Sequence, residues 1–200
     1  MTLYDIKPKF QNLLRPIVAI LHHWGISANQ VTLLAMLLSV LLGGVLMLFP
    51  NPVLFISLPV FLLFRMALNA IDGMLAREFN QQTVLGAILN EVGDVISDAA
   101  LYLPFAFLAG IQPWLVIFIV LLSWLTEFCG VIVQTLTTQR NYQGPLGKSD
   151  RAFIFGALGL GIGFWPHCIF WANIIFIMAA LLLILTCINR CRDALGTKHA

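Results

Sequence analysis

The sequence predicts an all-α integral membrane protein: six transmembrane helices, preceded by an amphipathic helix that lies along the interface. Three observations carry this prediction. Of the 200 residues, 60% are apolar and only 10% are charged, far from the mix of an ordinary soluble domain. Apolar runs recur at roughly twenty residues, the length a helix needs to cross about 30 Å of hydrocarbon. Lys and Arg fall in alternate connections, as they do where short loops face the cytoplasm.

The elements follow in chain order. At the amino terminus Leu3, Ile6, Phe10, Leu13, Leu14, Ile17 and Leu21 keep a helical apolar stripe, with Lys7, Lys9 and Arg15 placed for lipid headgroups. No short apolar core with a small-residue cleavage site follows, so this stretch is not read as a signal peptide. The spans are expected at 30–49, 52–78, 84–109, 113–137, 152–164 (extended by its flanks) and 168–189. Lys7, Lys9 and Arg15 precede the first span, and Arg77 lies between the second and third. Arg140, Lys148 and Arg151 lie between the fourth and fifth, and Arg190, Arg192 and Lys198 follow the sixth. The connections around Pro50, Gly110 and Pro166 hold no Lys or Arg, which puts both termini in the cytoplasm. Arg65 is the one basic residue left at membrane depth. No repeat or low-complexity segment divides the chain, and a single membrane domain is expected over 1–200. Cys129, Cys168, Cys187 and Cys191 lack metal-type spacing and read as small apolar fillers.

Against this apolar background, residues 69–98 hold five of the nine carboxylates: Asp72, Glu78, Glu91, Asp94 and Asp98. A charged side chain in hydrocarbon is costly, so acids there face a protein-lined or watery interior and serve a function. On the second span Arg65, Asn69, Asp72 and Ala76 step by four, three and four, which is one helical face. On the third, Gly86, Asn90, Asp94 and Asp98 step by four along one face. A short connection at 80–83 makes the two helices antiparallel neighbours. At about 1.5 Å of rise per residue, Asp72 then lies level with Asn90 and Asp94. Oxygen ligands of this kind suit Mg²⁺ or Mn²⁺ together with a substrate phosphate. Gly73, Ala76 and Gly86 allow close approach of a ligand, and Arg77 is placed to pair with a phosphate. Metal, phosphate and lipid phase together point to phosphoryl-group chemistry on a lipid.

At these residues the chain resembles the CDP-alcohol phosphotransferases, whose signature reads D-x2-D-G-x2-A-R, about eight residues, then G-x3-D-x3-D. Here Asp72, Gly73, Ala76, Arg77, Gly86 and Asp94 match with the spacing kept, and "SANQVT" resembles a T-P-N-x-L-T segment before the first span, with Ala28 at the proline position. The resemblance implies transfer of a phosphatidyl-type group from a CDP-alcohol, usually CDP-diacylglycerol, to an alcohol acceptor in phospholipid synthesis, with release of CMP. It implies two divalent metals, with Asp72 among their ligands and Asp94 as the base. It also implies that Asn29, Thr32, Gly73, Ala76, Arg77 and Gly86 line the nucleotide. A homodimer in the bacterial inner membrane, with its active site facing the cytoplasm, is the expected state, and no nucleic-acid partner is expected.

The pattern is broken at two positions. The first and third aspartates of the signature are Asn69 and Asn90, which keep a carbonyl oxygen for a metal but lose the charge. Glu91 and Asp98 are the nearby acids that could compensate, Asp98 being on the same face. Asp98 and Glu127 are also the candidate ion-pair partners of Arg65. Arg140, Lys148 and Arg151 in and beside "QRNYQGPLGKSDRA" are the candidate acceptor-binding residues, against positive-inside bias alone. His22, His23, His167 and His199 converge with no acid in the sequence, and "GLGIGFW" reads as close helix packing, since no strand precedes it. Two other readings are a catalytically weak relative that binds a cytidine nucleotide or lipid, and a transporter whose buried acids carry ions.

Overall fold

The computed structural model describes residues 3–137 and 143–196, and the described residues are helical without a strand. They form α1 (Leu3–His23), α2 (Ala28–Leu48), α3 (Ser57–Glu78), α4 (Val84–Tyr102), α5 (Pro113–Thr137), α6 (Lys148–Phe164) and α7 (Ile169–Gly196). Short 3₁₀ turns at Pro52–Ile56, Leu103–Phe107 and Pro166–Cys168 each have a proline in their first two positions. Proline presets φ for a helical turn and lacks the N–H that continues an existing helix. For that reason the expected single helix over 84–109 ends at Tyr102, just before Pro104.

Ala28–Leu48, Pro52–Glu78, Pro113–Thr137 and Pro166–Arg192 are long and apolar enough to cross a membrane. The other two expected spans do not meet that standard of length and composition. α4 carries Glu91, Asp94 and Asp98, and α6 has 17 residues.

The chain groups into two compact units, one taking in Phe61–Ser97 and the chain up to Leu41, the other Leu42–Val60 and the chain from Asp98 onward. In the first unit, Leu14 and Val18 of α1, Val31 and Ala35 of α2, and Leu68, Ile71 and Leu75 of α3 form one buried cluster. The apolar stripe of α1 is therefore used for packing, while Leu13, Ile17, Ile20 and Trp24 stay exposed. Arg15 reaches across to Glu78 at 3.0 Å, and that carboxylate holds the guanidinium above its ordinary pKa.

In the second unit the core is aromatic. Tyr102 stacks on Phe155 at 3.9 Å, and Phe105 meets Phe55, Phe155 and Phe176 edge-on. The glycine-rich stretch of α6 lies against the Pro52–Ile56 turn, and a Cβ on Gly159 would stand 2.8 Å from the carbonyl oxygen of Phe55. Close packing is thus the use of this stretch. Gly159→Val should destabilise the detergent-solubilised protein by about 1–3 kcal/mol through overpacking, measured as a lower Tm. An unchanged Tm would contradict the contact. All four cysteines are free thiols.

Candidate active site

Three helix ends build the site in the first unit. At the start of α2, Ser27 Oγ accepts from the Gln30 N–H (3.3 Å) and Gln30 Oε1 accepts from the Ser27 N–H (2.8 Å), a reciprocal capping box. This sets Asn29 and Thr32 in the first turns of α2. At the end of α3, Asn80 takes φ 54° and the Gln81 N–H reaches back to the Ala76 carbonyl at 3.0 Å, closing the helix in the left-handed manner open to asparagine. Gln81 Oε1 then accepts from the Ala28 N–H at 2.7 Å, tying the α3–α4 connection to the start of α2. At the start of α4, Thr83 Oγ1 caps the Gly86 N–H at 2.9 Å.

The residues expected around a nucleotide are brought together by these caps. Thr32 Oγ1 donates to Asp72 Oδ2 at 2.8 Å. A Cβ on Gly86 would stand 2.6 Å from Asn29 Oδ1, so a larger residue there would make that side chain shift. The guanidinium of Arg77 folds over Gly73, its Nη2 3.1 Å from where a Cβ would stand. Arg77 is exposed and Asp72 is buried. Ala76 packs on the cluster shared by α1, α2 and α3. The arrangement offers a cation, small residues and an anchored carboxylate within one cradle.

Asp94 faces the other part of the α3 stripe. Its Oδ1 accepts from Arg65 Nη2 and from Asn69 Nδ2, both at 3.1 Å, and its backbone carbonyl accepts from the same Arg65 nitrogen at 3.2 Å. Arg65 is only 4% exposed. The sequence offers Asp98 and Glu127 as partners for Arg65, whereas the structure joins it to Asp94. The polar stripe of α3 therefore divides, with Asp72 turned to α2 and Arg65 and Asn69 to α4. Asn90 is exposed and Glu91 half-buried. Among the described residues, no three His, Cys, Asp or Glu side chains cluster as a metal site.

Asp98 and Glu127 belong to a charge network in the second unit. Arg151 donates to Asp98 Oδ2 (3.3 Å), Glu127 Oε1 (3.0 Å) and Thr126 Oγ1 (3.2 Å). Arg190 pairs with Glu127 Oε2 at 3.7 Å and donates to the Thr126 carbonyl. Both arginines are 2% exposed. Of the expected acceptor residues, Arg151 is thus engaged and buried, Lys148 is half-buried, and Arg140 lies outside the described residues. The α6 start is fixed by Asp150, whose Oδ2 accepts from the Gly147 N–H at 2.8 Å. Arg190 was not singled out by sequence reasoning. Its signal was the register Arg190, Thr186 and Leu183 on one buried face of α7.

The chain matches known proteins along most of its length. Residues 25–188 fit the family model for CDP-alcohol phosphatidyltransferase. The inner membrane protein YnbA of Escherichia coli (strain K12) is 56% identical over 98% of this chain and 97% of its own. Among solved structures, Mycobacterium tuberculosis phosphatidylinositol phosphate synthase (PgsA1) with CDP-DAG bound superposes with a TM-score of 0.76 at 21% identity, over 90% of this chain and 92% of that one. The same protein in complex with manganese and citrate superposes with a TM-score of 0.76 at 21% identity, over 90% of this chain and 87% of that one. These two likenesses carry the fold alone. The matched family model, together with the retained D-G-x2-A-R run, assigns the chain to the CDP-alcohol phosphatidyltransferase family.

Proposed function

We propose that the chain transfers a phosphatidyl-type group from a CDP-alcohol, CDP-diacylglycerol by preference, to an alcohol acceptor, with release of CMP, in phospholipid synthesis. One observation carries the reading. Asn29, Thr32, Asp72, Gly73, Arg77 and Gly86, drawn from three helix ends, gather in one cradle that offers a phosphate a guanidinium and two small-residue surfaces. The CDP-diacylglycerol bound to the mycobacterial relative supports the choice of donor.

In the reaction, the acceptor oxygen forms a bond to the phosphorus that carries the diacylglycerol, and the bond from that phosphorus to CMP breaks. Asp94 takes the proton of the attacking hydroxyl. Arg77 holds the phosphates of the nucleotide and stabilises the charge on departing CMP. Asn29 and Thr32 line the nucleotide, and Gly73, Ala76 and Gly86 leave room for it. The hard oxygens of Asp72, Asp94 and Asn90 fit a Mg²⁺ or Mn²⁺ ion. Asn69 supports that set through its bond to Asp94, whereas Asp98 is held by Arg151. Such an ion would supply charge neutralisation at the pyrophosphate.

Arg140, Lys148 and Arg151 form the acceptor side in this reading, with Arg151 held by two carboxylates and so serving mainly to shape that side. At about 1.5 Å per residue, the 19 residues of α4 and the 17 of α6 approach the hydrocarbon thickness, which supports six spans. The exposed Leu13, Ile17, Ile20 and Trp24 support an interfacial α1. Both termini and the cradle then face the cytoplasm of the bacterial inner membrane, within a single domain over 1–200 that pairs with a second copy. The pairing of Asp94 with Arg65 favours, as a second reading, a member that binds the nucleotide with little turnover.

The test is an acceptor panel. Purified protein with CDP-diacylglycerol and Mg²⁺ or Mn²⁺ is given polyols, polyol phosphates and amino alcohols, and lipids are followed by mass spectrometry. One acceptor class is expected to give a new lipid with equimolar CMP. No new lipid with any acceptor or metal would refute transfer.

A further inference from the structure

We infer that Arg65 is a resident cation of the site, standing where a second divalent ion would otherwise be needed, so that the chain holds one divalent cation rather than two. This rests on the transfer reading above and specifies its metal requirement. A carboxylate oxygen has two lone-pair positions. Oδ1 of Asp94 fills both, with Arg65 Nη2 and Asn69 Nδ2 each at 3.1 Å. That oxygen is closed to a metal. A dication on it would also meet a guanidinium that is 4% exposed and cannot swing into solvent.

Asn69 fits this arrangement as aspartate would not. Asp94 Oδ1 only accepts, so the group facing it at 3.1 Å must donate, and the amide nitrogen does so. An aspartate at position 69 would bring two carboxylate oxygens together and need a cation between them. Asparagine with Arg65 does without one. At positions 69, 72, 90 and 94 the chain carries two carboxylates, and Arg65 offsets one. The one negative charge that then remains at these four positions is scaled to a single ion rather than two. Arg65 acts through Asp94 and is a positioning residue.

The test counts metal. The full-length protein in nanodiscs is equilibrated with Mn²⁺ and CDP-diacylglycerol, and bound Mn²⁺ is obtained from the EPR signal of the free ion. The wild type is expected to bind one Mn²⁺ per chain, and Arg65→Lys, which keeps the charge, also one. Arg65→Met combined with Asn69→Asp is expected to bind two. A wild-type count of two or of zero would overturn the inference, as would a count of one in the folded double variant. Should that variant not fold, Asn69→Asp with Asn90→Asp should tighten Mn²⁺ binding about 10–100-fold by calorimetry, and unchanged affinity overturns the inference. CMP release is read on the same wild-type sample after the acceptor found in the panel is added. One Mn²⁺ without CMP refutes transfer and leaves the count, whereas two Mn²⁺ with CMP refutes the count and leaves transfer.

Discussion

Asp94→Ala should reduce CMP release by a factor on the order of 10²–10⁴, the range a positioned general base supplies, while Glu91→Gln should leave it near the wild-type rate. The contrast is the informative part, because both acids lie on α4 within one turn. Asp94 is held by Arg65 and Asn69, which fixes the carboxylate in direction. Glu91 is rotated about 300° from Asp94 on the helix, a net 60° to the other side, and matches no aspartate of the signature. Steady-state CMP formation with saturating donor measures both variants. Loss in both would transfer the role of base, or of ligand, to Glu91. Retention in Asp94→Ala would remove the proton acceptor from the mechanism.

Arg151→Met should cost about 3–5 kcal/mol of stability, the largest loss expected for any single change outside the core aromatics. Asp98 is 4% exposed, and removing the guanidinium withdraws its donor at 3.3 Å and that of Glu127 at 3.0 Å. Arg190 remains beside Glu127 at 3.7 Å and covers only part of the deficit. A buried carboxylate without its partner is far worse than an intact pair. Lys cannot replace the fork, because Arg151 spans Thr126 and Glu127 of α5 as well as Asp98 of α4. The measurement is thermal unfolding in detergent, with the Phe155 aromatic cluster as an internal standard for core loss. A shift under 1 kcal/mol would show that the network contributes little, as exposed ion pairs do.

Apolar length alone anticipates α2, α3, α5 and α7 to within a few residues at most ends. Helix ends set by local polar bonds were harder to read. α6 begins at Lys148 rather than 152, because Asp150 caps the Gly147 N–H, and α4 stops before Pro104. In the site, the steps of three and four placed Asn69 and Asp72 on one stripe, and the matched spacing brought Asn29, Thr32, Gly73 and Gly86 together through three caps. Spacing could not say which way each member of the stripe turns. Asp72 goes to Thr32 of α2 and Asn69 to Asp94 of α4, because two helices flank one face of α3. The partner of Arg65 was open for a related reason: its side chain is long enough to reach more than one acid. Arg190 escaped notice because the last basic residues of a membrane chain look like positive-inside bias until their burial is seen.

The most direct measurement is the number of CMP molecules formed per chain from CDP-diacylglycerol with Mg²⁺ and the acceptor found in the panel. Many turnovers per chain, abolished in Asp94→Ala and by chelation of the metal, are the predicted result. CDP-diacylglycerol bound at one per chain, with no more than one CMP ever released, would contradict transfer and make the chain a binding member of its family.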